Sequence, residues 1–203
     1  MTQKAMVKDN SADQVRELRN ATGAGIMDCK RALMEAKGDF QAAQQLLRKR
    51  GFEIAQKKSG RTTKEGQIFS YVHLGGKIGV LVEIDCETDF VARNSEFQQF
   101  GRDVAMQIAA AHPLFVSREE IDPDWLEQEK EVFQAQVKDK PAKIQDQIIQ
   151  GKLDKRFEEV CLLNQRFIKN EDTTIQDLLT GLISKLGEHV VIKRFRRFEI
   201  GSE

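Results

Sequence analysis

Apolar positions recur at helical spacing across 11–51, crowd into strand-like runs over 67–87, and return to helical spacing over most of 95–186. In the first stretch, Ser11 is placed to cap a helix carrying Val15 and Leu18, which stops near Thr22-Gly23. The turn Gly23-Ala24-Gly25 leads to Ile26 and Met27, with Asp28 as the next capping candidate. Cys29, Ala32, Leu33 and Ala36 then repeat at helical spacing. Gly38 suits the left-handed residue that closes such a helix, and Asp39 suits the cap of a third. The third stripe, Phe40, Ala43, Leu46 and Leu47, is expected to end at Gly51. These residues predict a compact three-helix unit.

Residues 53–66 are polar and weakly periodic, the pattern of a linker with a helical start. A hairpin follows. Ile68, Phe69, Tyr71 and Val72 lie in its first strand (67–74), Gly75-Gly76 makes the turn, and 77–87 returns as a strand. Gly79, Val80, Leu81, Val82 and Ile84 leave little polar alternation, so this strand is expected to be buried and central. It stops abruptly. Glu83, Asp85 and Glu87 restore alternation, Thr88-Asp89 supplies turn chemistry, and Phe90 arrives where the pattern no longer needs a core residue. Phe90 either plugs the local core or faces something outside it, and Asp89 either caps the turn or does the same. Asn94 or Ser95 can cap a helix bearing Phe97, Phe100, Val104, Ile108 and Ala111, ended by His112-Pro113. Ser117 and Glu120 have capping-box spacing ahead of Pro123. Two charged helices joined by Asp139-Lys140-Pro141 should form an antiparallel hairpin, the second running through Gly151. Thr174 should cap a last helix containing Leu178, Leu179, Leu182 and Ile183, and Gly187 leads into a strand over 189–200.

Together these elements predict an α+β protein: a three-helix domain at 1–52, a linker at 53–66, and a core domain at 67–203 with a three-stranded antiparallel sheet packed by helices. Of 203 residues, 32 are Lys or Arg and 32 are Asp or Glu, so no global field recruits nucleic acid or an anionic membrane. Lys57, Lys58, Arg61 and Lys64 lack interleaved aromatics and read as a solvated linker. No segment has the length and apolarity of a membrane span, and MTQKAMVKDN lacks a secretory core, so a cytoplasmic location is expected. Cys29, Cys86 and Cys161 suit a reducing compartment, and no metal-ligand spacing joins them to His73, His112 or His189. Catalytic-triad, P-loop and dinucleotide patterns are missing.

Two segments carry a resemblance. Val15 to Leu33, VRELRNATGAGIMDCKRAL, and Glu87 to Asn94, ETDFVARN, resemble the signatures of elongation factor Ts, the guanine-nucleotide exchange factors of bacterial and organellar translation. The resemblance implies a ubiquitin-associated-like amino-terminal domain that docks on elongation factor Tu through Leu18, Ile26, Met27 and Lys30. Leu18 could equally serve the helical core. It implies that Thr88, Asp89, Phe90 and Val91 form an intruding turn that disturbs the Mg²⁺ end of the partner's nucleotide pocket, with Arg93 and Asn94 beside it. His73, in SYVHLGGKIGVLVE, either reaches the partner or is an ordinary turn histidine. No cofactor, no bond chemistry and no direct contact with nucleic acid or membrane are implied.

The chain has room for one hairpin-and-helix set, so it resembles the short members of that family, in which two chains supply two copies. A homodimer packed through the sheet and the 189–200 strand is the expectation. That region reads RFRRFEI, so no disulfide is expected between the copies. Two other functions compete: a ubiquitin-associated-type adapter without exchange activity, and a ribosome-associated RNA-binding protein using Lys57 to Lys64 and Lys193 to Arg197.

Overall fold

The computed structural model describes residues 12–202. In chain order the elements are α1 (Ala12–Thr22), α2 (Ile26–Glu35), α3 (Phe40–Lys58), β1 (Glu65–Val72), β2 (Ile78–Cys86), α4 (Asp89–Ala92), α5 (Ser95–Ala111), α6 (Pro123–Val137), α7 (Ala142–Val160), β3 (Arg166–Phe167), β4 (Asn170–Thr174), α8 (Ile175–Leu186) and β5 (Val190–Glu199). The fold is α+β, as expected. An antiparallel sheet has the order β1-β2-β5, and β3 with β4 forms a separate hairpin. The chain divides into two compact units, one of 12–66, Asp85–Phe97 and Asp177–Val191, the other of Gln67–Ile84, Gln98–Gln176 and 192–202.

In the first unit, α1, α2 and α3 enclose Val15, Leu18, Cys29, Ala32, Leu33, Ala43 and Leu47. The expected cap at Ser11 lies outside the described residues. Asp28 does not cap α2: the helix begins at Ile26 with Gly25 before it, and Asp28 sits inside the first turn, paired with Arg31. Gly23, at φ 68°, turns the chain early enough for Ile26 to be helical. Gly38 takes the left-handed conformation at φ 84° and its N–H donates to the Leu33 carbonyl at 2.8 Å. Asp39 caps α3, accepting the Ala42 N–H at 3.0 Å.

Gly51 does not end α3, which continues to Lys58. Glycine is there because α3 and α8 approach closely: a Cβ on Gly51 would lie 3.3 Å from Thr180 Cγ2. Arg48 clamps Asp177 on α8 with two bonds, 2.7 and 2.6 Å. Lys58 reaches the Gly187 carbonyl. The helical start expected of the linker is thus the last part of α3.

In the second unit, Val80, Val82 and Ile84 of β2 are buried and Leu81 faces out, giving the alternation of a sheet covered on one side. Phe69 of β1 lies flat on α5 at Gly101, where any Cβ would meet its ring at 2.3 Å. The predicted antiparallel α6–α7 pair is present. It packs Leu153, Phe157, Val160 and Cys161 against Trp125, Leu126 and Phe133, with Arg118 stacked 4.6 Å over Phe157 and Arg156 5.8 Å over Trp125. Glu120 reaches back to the Val116 N–H at 3.0 Å, one residue earlier than a Ser117 capping box requires. Two buried amides hold the unpredicted β3–β4 hairpin. Gln107 of α5 donates to Gln165 Oε1 at 3.2 Å and the Arg166 carbonyl at 3.1 Å, and accepts the Ile168 N–H at 2.9 Å.

Candidate functional site

β2 ends at Cys86, and the turn expected from Thr88-Asp89 takes the form of one turn of helix, α4. Thr88 caps it from an extended backbone, its Oγ1 accepting the Val91 N–H at 3.4 Å. The Thr88 carbonyl accepts the Ala92 N–H at 3.2 Å and the Cys86 thiol at 3.1 Å. Asn94 Oδ1 accepts the Glu96 N–H at 2.8 Å, so Asn94 closes the turn and opens α5 together. A helical turn places consecutive side chains about 100° apart. Val91 accordingly points inward and is 8% exposed, while Phe90 points out and is 82% exposed. Asp89 is held by Arg93 at 2.8 Å on the surface of the same turn.

A second segment locks the turn from behind. Glu188 accepts both the Thr88 N–H, at 3.1 Å, and the Thr88 hydroxyl, at 2.7 Å. Glu87 answers in the other direction, accepting the His189 N–H at 2.6 Å, and it pairs with Arg61 at 3.4 Å. His189 Nδ1 lies 2.9 Å from the Arg61 carbonyl. The His189 N–H, then the Arg61 charge, holds the Glu87 carboxyl below the ordinary value. The Cys86 thiol is pushed up to about 11, first by burial and then by the charge of Glu188, so it serves as a neutral hydrogen-bond donor. Glu188 was not singled out in the sequence, and Glu87, His189 and Arg61 were named there only for strand pattern, signature, metal spacing or linker charge, not as partners of one another. The two segments that meet are 100 residues apart, and no local pattern pairs their carboxylates with groups so distant.

The other candidates fall into three groups. Ile26 and Met27 open α2 and are 54% and 62% exposed, with Lys30 exposed on the same helix. Leu18 is fully buried in the α1–α3 core and presents no surface. His73 stands exposed at the β1–β2 turn, 3.1 Å from the Tyr71 hydroxyl through Nδ1, and its backbone closes the hairpin. Among the described residues no group of three or more His, Cys, Asp or Glu side chains is placed to hold a metal ion. No helix of the described residues is long and apolar enough to cross a membrane.

Comparison with known proteins accounts for nearly the whole chain. Residues 7–202 match the family "Elongation factor TS". A relative from Carboxydothermus hydrogenoformans, named elongation factor Ts, is 53% identical over 193 residues, spanning 94% of this chain and 89% of its own. Proteins of the same name from Geotalea uraniireducens and Thermotoga petrophila are 53% and 51% identical, the latter covering 94% of this chain and 96% of its own.

Proposed function

The chain belongs to the elongation factor Ts family, and from that premise we propose that it binds elongation factor Tu and speeds release of GDP without making or breaking a covalent bond. One observation carries the mechanism: a large aromatic side chain, Phe90, stands almost fully exposed on a turn held at both ends by hydrogen bonds, from Thr88 to Glu188 and from Val91 to the Thr88 hydroxyl at its start, and from Asn94 to the Val91 carbonyl at its close. Exposing a phenylalanine on so rigid a support contributes nothing to the fold and prepares it to enter a partner. Nucleotide affinity in such GTPases depends on Mg²⁺ and on backbone donors around the phosphates, so a wedge that displaces either one weakens binding. Asp89 is free to change partners, because a surface ion pair such as that with Arg93 contributes only about 0–1 kcal/mol. Exchange then follows from linkage. A factor that prefers the nucleotide-free state of its partner lowers nucleotide affinity in reciprocal measure.

In this reading Ile26 and Met27 supply an adaptable apolar contact that docks the helical domain, with Lys30 at its edge. Leu18 acts from within by fixing α1 against α2. The factor works in the cytoplasm, uses no cofactor, and contacts protein, not nucleic acid or membrane. The test is stopped-flow release of a fluorescent GDP analogue from elongation factor Tu. Phe90→Ala is expected to slow maximal release about tenfold, as for loss of a buried aromatic anchor. A normal rate in that variant would sink the wedge mechanism and favour an adapter that binds without exchanging.

The face of the sheet turned away from α5 supports self-association. Phe69 and Arg197 face the helix, Arg197 through a 3.2 Å bond to the Ala109 carbonyl, so alternation puts Ile68, Val72, Phe198 and Ile200 on the opposite side with Leu81. All five are exposed. A second copy of this chain is the proposed cover, making a homodimer.

A further inference from the structure

Every polar group of Thr88 is engaged, and Glu188 takes both of its donors. The match suits a carboxylate, which has an acceptor for each donor. Its two oxygens accept the backbone N–H and the hydroxyl together, and by fixing the hydroxyl proton toward itself Glu188 leaves an Oγ1 lone pair for the Val91 N–H. A carboxamide of the same shape can accept the Thr88 N–H through its oxygen, but its NH2 can meet Oγ1 only as a donor, so both contacts become neutral and the hydroxyl proton loses its acceptor. Glu188 does not touch the surface that Phe90 presents. It sits in the Gly187 to His189 link, and α8 fixes that link from one side while the Glu87 bond to the His189 N–H fixes it from the other. Cys86, whose thiol donates to the Thr88 carbonyl, adds a third hold on the same residue.

We infer that Glu188 is a positioning residue for nucleotide exchange: through its paired bonds to Thr88 it orients the α4 turn and so sets where Phe90 enters the partner. The inference rests on the exchange reading above. Its effect is confined to the chemical partner of the turn. Docking through Ile26 and Met27 uses α2, which Glu188 does not contact among the hydrogen bonds of the described residues.

GDP-analogue release from elongation factor Tu tests this with full-length wild type, E188Q, Thr88→Val, F90A and F90A/E188Q, each over a range of factor concentration. E188Q is expected to lower the maximal release rate about tenfold, the effect of replacing charge-assisted hydrogen bonds by neutral ones and leaving the hydroxyl proton without its acceptor, while the half-saturating concentration stays within about twofold. Thr88→Val, which removes the hydroxyl with both its bond to Glu188 and its cap on the Val91 N–H but keeps the backbone N–H, should lower the rate at least as much. F90A/E188Q should release no more slowly than F90A, since a misplaced turn without its aromatic has nothing further to lose. Amide hydrogen exchange at Val91 should quicken in E188Q. If the losses of F90A and E188Q multiply, or if E188Q matches wild type, Glu188 does not act through the turn and the inference fails alone. A wild-type chain that leaves GDP release unchanged overturns the exchange reading and this inference with it.

Discussion

Phe90 and Val91 are adjacent, apolar and oppositely placed, and one capped turn separates their roles. Hydropathy singles out Phe90 as surplus to the strand pattern, but it cannot say which of the two is buried; the Thr88 cap decides that by winding the backbone into α4. The partners of Thr88 and Glu87 were not legible at all. A carboxylate that bonds a backbone N–H across 100 residues leaves no trace in spacing or composition. Glu87 yields a prediction of pH dependence. Its folded pKa is depressed, chiefly by the His189 N–H and then by Arg61, so its stabilising effect is present above the unfolded value near ~4.3 and fades as pH falls through the lower folded value. Glu87→Gln should therefore lower the melting temperature at pH 7, with the gap from wild type closing below about pH 4. Calorimetry across that range checks it, and a constant gap would show that the His189 and Arg61 contacts do not carry the effect.

Among the elements, long periodic helices and the β1–β2 hairpin were readable because stripe and turn chemistry agree. One misreading and one omission have the same cause, a glycine or a polar run whose meaning lies in a neighbour. Gly51 reads as a stop until Thr180 is seen packed against it, and the sequence marks no strand at Asn170 to Thr174, which Gln107 and Gln165 support from a distance. The same logic distinguishes two other helical glycines. Gly101 has the Phe69 ring where its Cβ would go, whereas Gly151 of α7 faces open space. Gly101→Ala should destabilise by about 1–3 kcal/mol as an overpacked core, reduced by the better helix propensity of alanine. Gly151→Ala should stabilise by about 0.5–1 kcal/mol, since only propensity changes. Urea denaturation of the two variants gives opposite signs. A stabilised Gly101→Ala would mean that the ring can move aside without loss.

At the scale of the whole molecule, Ile26, Met27, Phe90 and Glu188 belong to one compact unit, gathered from three separate stretches of chain, and the exposed sheet face belongs to the other. The three helices were legible in the sequence, but the joining of Asp177–Val191 and Asp85–Phe97 to them was not, because it arises from long-range contacts, Arg48 with Asp177 and Gly51 with Thr180 for the one, Glu87 with Arg61 and Thr88 with Glu188 for the other. The sheet face argues for a partner on physical grounds. Ile68, Val72, Leu81, Phe198 and Ile200 form an exposed apolar set on one side of a sheet, with the Arg194–Glu83 ion pair at 2.6 Å beside them. A two-fold axis would bring identical sets together, and an isologous contact of this kind closes at two copies. Light scattering of the wild-type chain at micromolar concentration should give twice the 23.1 kDa of one chain. Phe198→Glu should return the mass of one chain, since two like charges would then face each other in an apolar contact. A wild type that scatters as a single chain rejects the dimer, and a Phe198→Glu variant that stays dimeric moves the contact off this face.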